Sequence, residues 1–363
     1  MKIALISLAR RGGMVHFHAE LANSLCRILP ETMVITSLGV PPTYYSSEIL
    51  KLDVNMGRGA MGTLVNVANP FSWRRLYKLL KECQADVFHI VASHEWNPLL
   101  LCFIMMMKKP LVFTVHDPVH HLGAPFYIRM SDKILIKNSD AMIVLSQLGK
   151  AQLKSKGVLQ EKIFHIPLGV YSFFLQWRSK NVQQEKVILF FGRIEKYKGL
   201  DFLIKAFSRA SVDLPGWKLV IAGSGDLTPF EPDLQHPQIE VINRFISDEE
   251  VAALMERSSM VVLPYSEATQ SGVIPIAYAF SKPVIAMNVG SLGEMVLHGE
   301  TGLLVPPNNL DELVRAIKFL ANNDLLSRQM GRYAFEWSNK EWGWEGIAQK
   351  HIGIYSKVVE RSI

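Results

Sequence analysis

Short apolar runs alternate along this chain with longer stretches of helical period. In the first half, Ile3–Leu8, Met33–Thr36, Val87–Val91, Leu111–Val115, Ala141–Leu145 and Ile163–Ile166 read as strands. Between them, His18–Leu29 and Gln147–Lys156 repeat apolar residues at helical spacing. The second half repeats the pattern, with Val187–Phe191, Lys218–Ala222, Ile239–Val241, Met260–Leu263, Val284–Ala286 and Gly302–Val305 as strands. Apolar strands alternating with helices predict parallel sheets covered on both faces. Pro167 and Gly169 punctuate His165-Ile166-Pro167-Leu168-Gly169-Val170, and an aromatic, then polar stretch runs on to Gln184. The expected fold class is α/β, with two doubly wound domains over residues 1–170 and 171–343 and a ligand cleft between them. A length of 363 residues suits two such domains.

Composition narrows the picture. Three widely spaced cysteines, Cys26, Cys83 and Cys102, suggest neither a disulfide framework nor a zinc site and fit a reducing cytosol. The N-terminal Lys2–Leu8 run leads into Arg10-Arg11-Gly12-Gly13, which reads as a strand and loop rather than a signal peptide. The most apolar run, Pro98 to Met107, has ten residues, whereas a membrane span needs about 20. It predicts a buried helix. Charge is uneven: residues 1–170 hold 19 Lys and Arg against 11 Asp and Glu, and residues 171–363 hold 20 against 22. A basic first half points to an anionic partner. In Trp73–Lys81, Trp73, Leu76, Tyr77 and Leu80 share one helical face while Arg74, Arg75, Lys78 and Lys81 lie elsewhere. That helix fits either a solvated surface packed on its sheet or an anionic membrane surface. No nucleic-acid recognition module is present.

Candidate chemistry collects where strands end. Gly192-Arg193 leaves Val187–Phe191, and Lys198-Gly199 precedes a helix starting near Asp201. Ligands of open α/β sheets bind at the carboxyl ends of strands, where an Arg fork and a Lys point charge can meet a diphosphate. An ordinary basic loop fits the same residues. Gly223-Ser224-Gly225 follows another strand and fits either close backbone approach to a ligand or a tight turn. Thr269-Gln270-Ser271-Gly272-Val273 precedes a helix expected to begin near Gly272; its free N–H groups and short side chains suit an anion or a simple cap. In the first half, Gly12-Gly13 lies between strand and helix, and His116-Asp117 ends a strand with His120 and His121 just beyond. Their spacing lacks the helical pair of zinc enzymes, so a polar substrate contact is favoured over a metal. The chain has no Asp-x-Asp pairing to hold a divalent ion against a diphosphate.

These motifs, together with Gly290-Ser291-Leu292-Gly293-Glu294 and Gly299-Glu300-Thr301-Gly302-Leu303-Leu304-Val305, resemble the family-4 retaining glycosyltransferases. Ile166-Pro167-Leu168-Gly169-Val170 is similar to that family's Ile-Pro-Asn-Gly-Val hinge. The resemblance covers nearly the whole chain and is densest from residue 186 to 306. It implies a GT-B fold of two Rossmann-like domains facing a cleft. The first domain would bind the acceptor and the second a nucleotide-sugar donor, and a helix within Trp344–Arg361, at about residues 344–363, would return to the first domain. One departure is plain. The family's Glu-x7-Glu positions fall on Thr269 and on Ala277 or Ile276, so the chain resembles the subset with Thr-Gln-Ser-Gly-Val instead. Glu294 is a candidate substitute.

The resemblance implies a hexosyltransferase-type enzyme that needs no metal or other cofactor. Arg193 and Lys198 would neutralise the departing diphosphate, helped by the N–H groups of Gly272 and Val273. The phosphate oxygen would take the acceptor proton, so no carboxylate pair is required. His116 would touch the donor sugar or acceptor, Asp117 would orient it, and Gly12 and Gly13 would admit the donor phosphates. Gly223, Ser224, Gly225, Thr269, Gln270 and Ser271 complete the donor set. The expected acceptor is a glycan or lipid-linked glycan in cell-surface polysaccharide biosynthesis, in the cytoplasm or at the inner face of its membrane. The alternatives are a GT-B-fold binding subunit with impaired catalysis and a nucleotide-sugar epimerase. No full dinucleotide fingerprint supports a dehydrogenase.

Overall fold

The computed structural model describes residues 1–57, 66, 69–119, 125–179, 182–231 and 233–362. The chain forms two compact units, Met1–Gly169 with Trp344–Ile363, and Val170–Gly343.

The first unit is a seven-stranded parallel sheet. Its strands are β1 (Ile3–Ser7), β2 (Thr32–Ser37), β3 (Leu50–Val54), β4 (Val87–Ile90), β5 (Leu111–Val115), β6 (Ala141–Val144) and β7 (Ile163–His165). They stand in the order β3-β2-β1-β4-β5-β6-β7. Leu5 of β1 pairs with Val34 on one side and His89 on the other, so a histidine occupies the middle of the sheet. Helices α1 (Gly13–Ile28), α2 (Pro70–Glu82), α3 (Asn97–Met106), α4 (Phe126–Asn138) and α5 (Gln147–Ser155) connect the strands. Ile6, Phe88, Phe113 and Met142 are fully or almost fully buried in one cluster, and burying a large apolar side chain stabilises by about 1.5–3 kcal/mol. The C-terminal helix Trp344–Glu360 packs on α1. Trp344 fills the space beside Gly169, where a Cβ would stand 2.4 Å from its indole. That contact accounts for glycine in the Ile166–Val170 segment.

Two features differ from the sequence reading. β3 was not expected; Leu50-Lys51-Leu52-Asp53-Val54 alternates apolar and polar residues because it is an edge strand, exposed in part. The run Pro98–Met107, expected to be a buried helix, is helical but sits at the surface. Leu100, Leu101 and Ile104 are buried, whereas Cys102, Met105 and Met106 are exposed.

The second unit is a six-stranded parallel sheet of β8 (Val187–Phe191), β9 (Lys218–Ala222), β10 (Ile239–Ile242), β11 (Met260–Leu263), β12 (Val284–Met287) and β13 (Gly302–Val305). Their order is β10-β9-β8-β11-β12-β13. Its helices are α6 (Leu200–Ser211), α7 (Asp248–Arg257), α8 (Val273–Ala279), α9 (Leu292–Met295), α10 (Leu310–Asn322) and α11 (Asp324–Glu341). Ser247 caps α7 through a reciprocal capping box with Glu250. Each sheet changes winding direction beside its first strand, the place where open α/β sheets carry their ligand loops.

Candidate active site

In the second unit the loops after β8 and β9 are zipped together. The N–H of Gly192 donates to Ala222 O at 3.0 Å, and that of Ile194 donates to Ser224 O at 2.8 Å. A Cβ on Gly223 would stand 1.9 Å from Gly192 O, and one on Gly225 would stand 2.3 Å from Ile194 O. Asn243 closes the edge, its Nδ2 donating to Gly225 O and its Oδ1 accepting from Gly225 N, both at 3.1 Å. The glycines of Gly223-Ser224-Gly225 therefore make room for a neighbouring backbone. Close approach of a ligand is not needed to explain them.

This zipper fixes the loop that carries the two cations. Gly199, with φ 63°, lies against Pro264 O, where a Cβ would come within 2.0 Å. Lys198 Nζ sits 2.7 Å from where a Cβ on Gly192 would stand, and 5.3 Å from the centroid of the Tyr265 ring. Gly192, with φ 125°, holds a backbone conformation that other residues rarely adopt. Arg193 is 73% exposed and pairs with Glu195 at 2.8 Å. An exposed pair of this kind holds by no more than about 1 kcal/mol, so a diphosphate can take the guanidinium over.

Val273 Cγ2 lies 4.0 Å from the same Gly192 position, so the Gly192–Lys198 loop and the Thr269–Val273 segment meet. Gly272 is the residue before α8, and the helix is only seven residues long. The Val273 N–H, expected to be free, donates to Ser271 Oγ at 3.3 Å. Gln270 Oε1 and Ser291 Oγ are buried without hydrogen-bond partners. Gly290 lets the segment dock: a Cβ there would stand 1.6 Å from Ala268 O, and Ser291 N donates to that same oxygen at 3.1 Å. The docking ties Thr269 to the stretch holding Glu294, which lies exposed on α9.

His116, Asp117, Gly12 and Gly13 belong to the first unit. Gly12, with φ 77°, precedes α1, and no atom lies within 4 Å of where its Cβ would stand. Gly13 opens the helix, whose first turn holds no acidic residue. His116 is buried, its ring edge-on to Phe17 at 5.5 Å between centroids. Nε2 lies 2.7 Å from Val91 O. A carbonyl only accepts, so Nε2 carries the proton and Nδ1 presents a lone pair. That Nδ1 is buried without a partner. Burial lowers the His116 pKa, against the opposing effects of Val91 and Asp117, and the ring is neutral at pH 7. His120 and His121 lie outside the described residues.

One acid at this end of the first unit escaped the sequence reading. Asp132 of α4 is buried and accepts from Ser93 Oγ at 2.7 Å. Burial pushes its pKa up to about 6, opposed by the Ser93 hydrogen bond. Its neighbour Ser131 donates to His94 O at 3.0 Å, so α4 braces the loop after β4. The available signal was one acid on the inner side of the helix, beside Leu135. Among the described residues no three His, Cys, Asp or Glu side chains gather as a metal site. No helix among them is long and apolar enough to cross a membrane.

Two parallel doubly wound sheets of this kind make up the GT-B architecture. Anabaena HepE bound to UDP and glucose has the same fold, with TM-score 0.78 and 17% identity over 98% of this chain and 100% of that one. The family model for Glycosyltransferase Family 4 matches residues 11–171, and that for Glycosyl transferases group 1 matches residues 185–323. A D-inositol 3-phosphate glycosyltransferase of Kribbella flavida is 30% identical over 308 residues, 75% of this chain and 72% of its own. The chain belongs to the family-4 glycosyltransferases. An uncharacterized glycosyltransferase of Haemophilus influenzae is 24% identical over 96% of this chain and 98% of its own. An exopolysaccharide phosphotransferase of Streptomyces coelicolor is 28% identical over 61% of this chain, which spans only 24% of that larger protein.

Proposed function

We propose that the protein moves a hexosyl group from a nucleotide-diphosphate sugar to a hydroxyl of a glycan or lipid-linked glycan, with retention at the anomeric carbon and without a metal. The carrying observation is the Gly192–Gly199 loop, which the β9 loop holds in place with Arg193 outward and Lys198 Nζ beside Gly192. The diphosphate displaces Glu195 from Arg193 and meets Lys198 Nζ. In the transfer step the bond from the anomeric carbon to the phosphate oxygen breaks. A bond from that carbon to the acceptor oxygen forms on the same face. The acceptor proton passes to the departing phosphate oxygen, and a nucleoside diphosphate leaves. Both cations act on charge that grows in the transition state, the usual source of large rate effects. His116 Nδ1 accepts a hydrogen bond from a sugar or acceptor hydroxyl, and Asp117 steadies the ring. Gly12 and Gly13 keep the entry to α1 open for phosphate. Gln270 and Ser291 offer buried oxygens near the donor, and Glu294 stands in for the family's second glutamate.

HepE, crystallised with UDP and glucose, and the D-inositol 3-phosphate relative support a nucleotide-sugar donor. The exopolysaccharide relative and the basic first unit support a role in surface polysaccharide assembly on the cytoplasmic side of a membrane. The test is transfer from UDP-, GDP- and dTDP-sugars to a panel of glycosides in the presence of a chelator, with the product anomer read by NMR. The expected product keeps the donor's anomeric configuration, and Arg193→Ala and Lys198→Ala each slow its formation by about 100- to 1000-fold. An inverted product, or full activity in both variants, would overturn the reading. An unaltered protein that binds a nucleotide sugar and never transfers it would favour the binding-subunit alternative.

A further inference from the structure

Helix α3 is apolar on both sides. Leu100, Leu101 and Ile104 enter the core and half-buried Leu99 and Phe103 pack against it, while Cys102, Met105 and Met106 lie exposed on the outer side. Met105 is 55% and Met106 63% exposed. A helix that is hydrophobic all round normally lies buried; this one is a surface helix with no charged residue. It packs between α2 and α4, with the Tyr77 and Phe103 rings 5.3 Å apart across one seam.

Both flanking helices are basic outward. On α2, Arg74, Arg75, Lys78 and Lys81 are exposed, together with Phe71 at its start. On α4, Arg129, Lys133 and Lys137 are exposed alongside Phe126 and Met130. The only exposed acid on the three helices is Glu82, 3.6 Å from Lys78. An apolar strip is thus framed by seven outward cations, with aromatic residues at the helix starts.

We infer that this three-helix face docks on an anionic phospholipid surface, with α3 at the acyl boundary and the cations of α2 and α4 among the headgroups. Interfacial elements combine an apolar stripe with Lys and Arg in this way, and anionic headgroups attract each cation. Charge argues against a second copy, since a symmetric pair through this face would set seven cations against seven. The inference does not rest on sugar transfer, and its test contains no sugar.

The experiment is flotation of the full chain with phosphatidylcholine vesicles, with and without phosphatidylglycerol. Binding is expected only with the anionic lipid, and it should weaken steeply between about 0.05 M and about 0.5 M salt. Lys133→Glu with Lys137→Glu should lower affinity by roughly a hundredfold. Met105→Ser with Met106→Ser should lower it by roughly tenfold and leave the melting temperature unchanged or raised, because both side chains are exposed. Equal binding to neutral vesicles, or none to anionic vesicles at low salt, would overturn the inference. So would a dimer that shields Met105 and Met106 from oxidation, since it would assign the face to a second copy.

Discussion

The two units share one architecture and fill it differently. Among the described residues the first carries five buried histidines, His16, His18, His89, His116 and His351, while in the second both histidines, His236 and His298, escape full burial. Their glycines also work differently. Gly12 faces open space, whereas Gly223, Gly225, Gly199 and Gly290 each lie where a Cβ would strike a neighbouring carbonyl oxygen. Glycine-rich loops at strand ends therefore do not carry one meaning. At Gly12 the missing side chain leaves room, and in the second unit it lets two loops lock, which fixes the backbone that carries Arg193 and Lys198.

The contrast can be broken experimentally, starting with the largest effect. If the second unit holds the cations against a diphosphate, Lys198→Ala should lower kcat/KM by about 100- to 1000-fold, or roughly 3–4 kcal/mol. Asp132→Asn, in the first unit, keeps the hydrogen bond to Ser93 and should cost far less. Parallel steady-state kinetics on the two variants check this.

Acid should separate the units next. His18 and His351 are held down at about 4 by burial, against 6.5 for a free imidazole, and His89 and His116 are lowered too. Between those values the unfolded chain binds more protons, so stability falls as pH drops below about 6.5. His18 and His351 together cost roughly 4 kcal/mol at pH 5. Asp132, raised to about 6, keeps a proton that the unfolded chain releases and so opposes the loss, but it is one group against four. Peptide-resolved hydrogen exchange at pH 7.5 and 5, corrected for intrinsic rates, should show β4 and the C-terminal helix losing protection while β8 and β9 keep theirs. His89 links the two elements of the first unit, its Nδ1 lying 2.7 Å from Tyr355 Oη.

Two glycine variants give the smaller effects. Gly223→Ala meets Gly192 O and a φ of 149°, and should destabilise the second unit by about 3 kcal/mol. Gly12→Ala meets only its φ of 77° and should cost about 1 kcal/mol. Urea unfolding of both variants checks the pair; equal losses would erase the distinction between open and locked glycines.

Much of the fold could be read in the sequence because parallel strands buried on both faces are apolar without interruption. Val187–Phe191, Lys218–Ala222, Met260–Leu263 and Gly302–Val305 have the bounds expected of them. β3 was missed because an edge strand is only half buried and its alternating residues resemble a loop. The outer side of α3 was missed because hydropathy cannot tell which face of an apolar helix the fold covers. At the site, Arg193 and Lys198 stood out through their position between strand and helix. Asp132 and Asn243 did not, because what makes each matter is a partner far along the chain, Ser93 for one and Gly225 for the other.

The most direct test of the second unit as a diphosphate holder is thermal unfolding of the full chain with UDP, GDP and dTDP, repeated with Lys198→Ala. One of them at about 100 times its Kd should stabilise the wild type by about 2.7 kcal/mol and raise its melting temperature by several degrees, with little shift in the variant. No shift with any nucleoside diphosphate, or an equal shift in Lys198→Ala, would contradict the account.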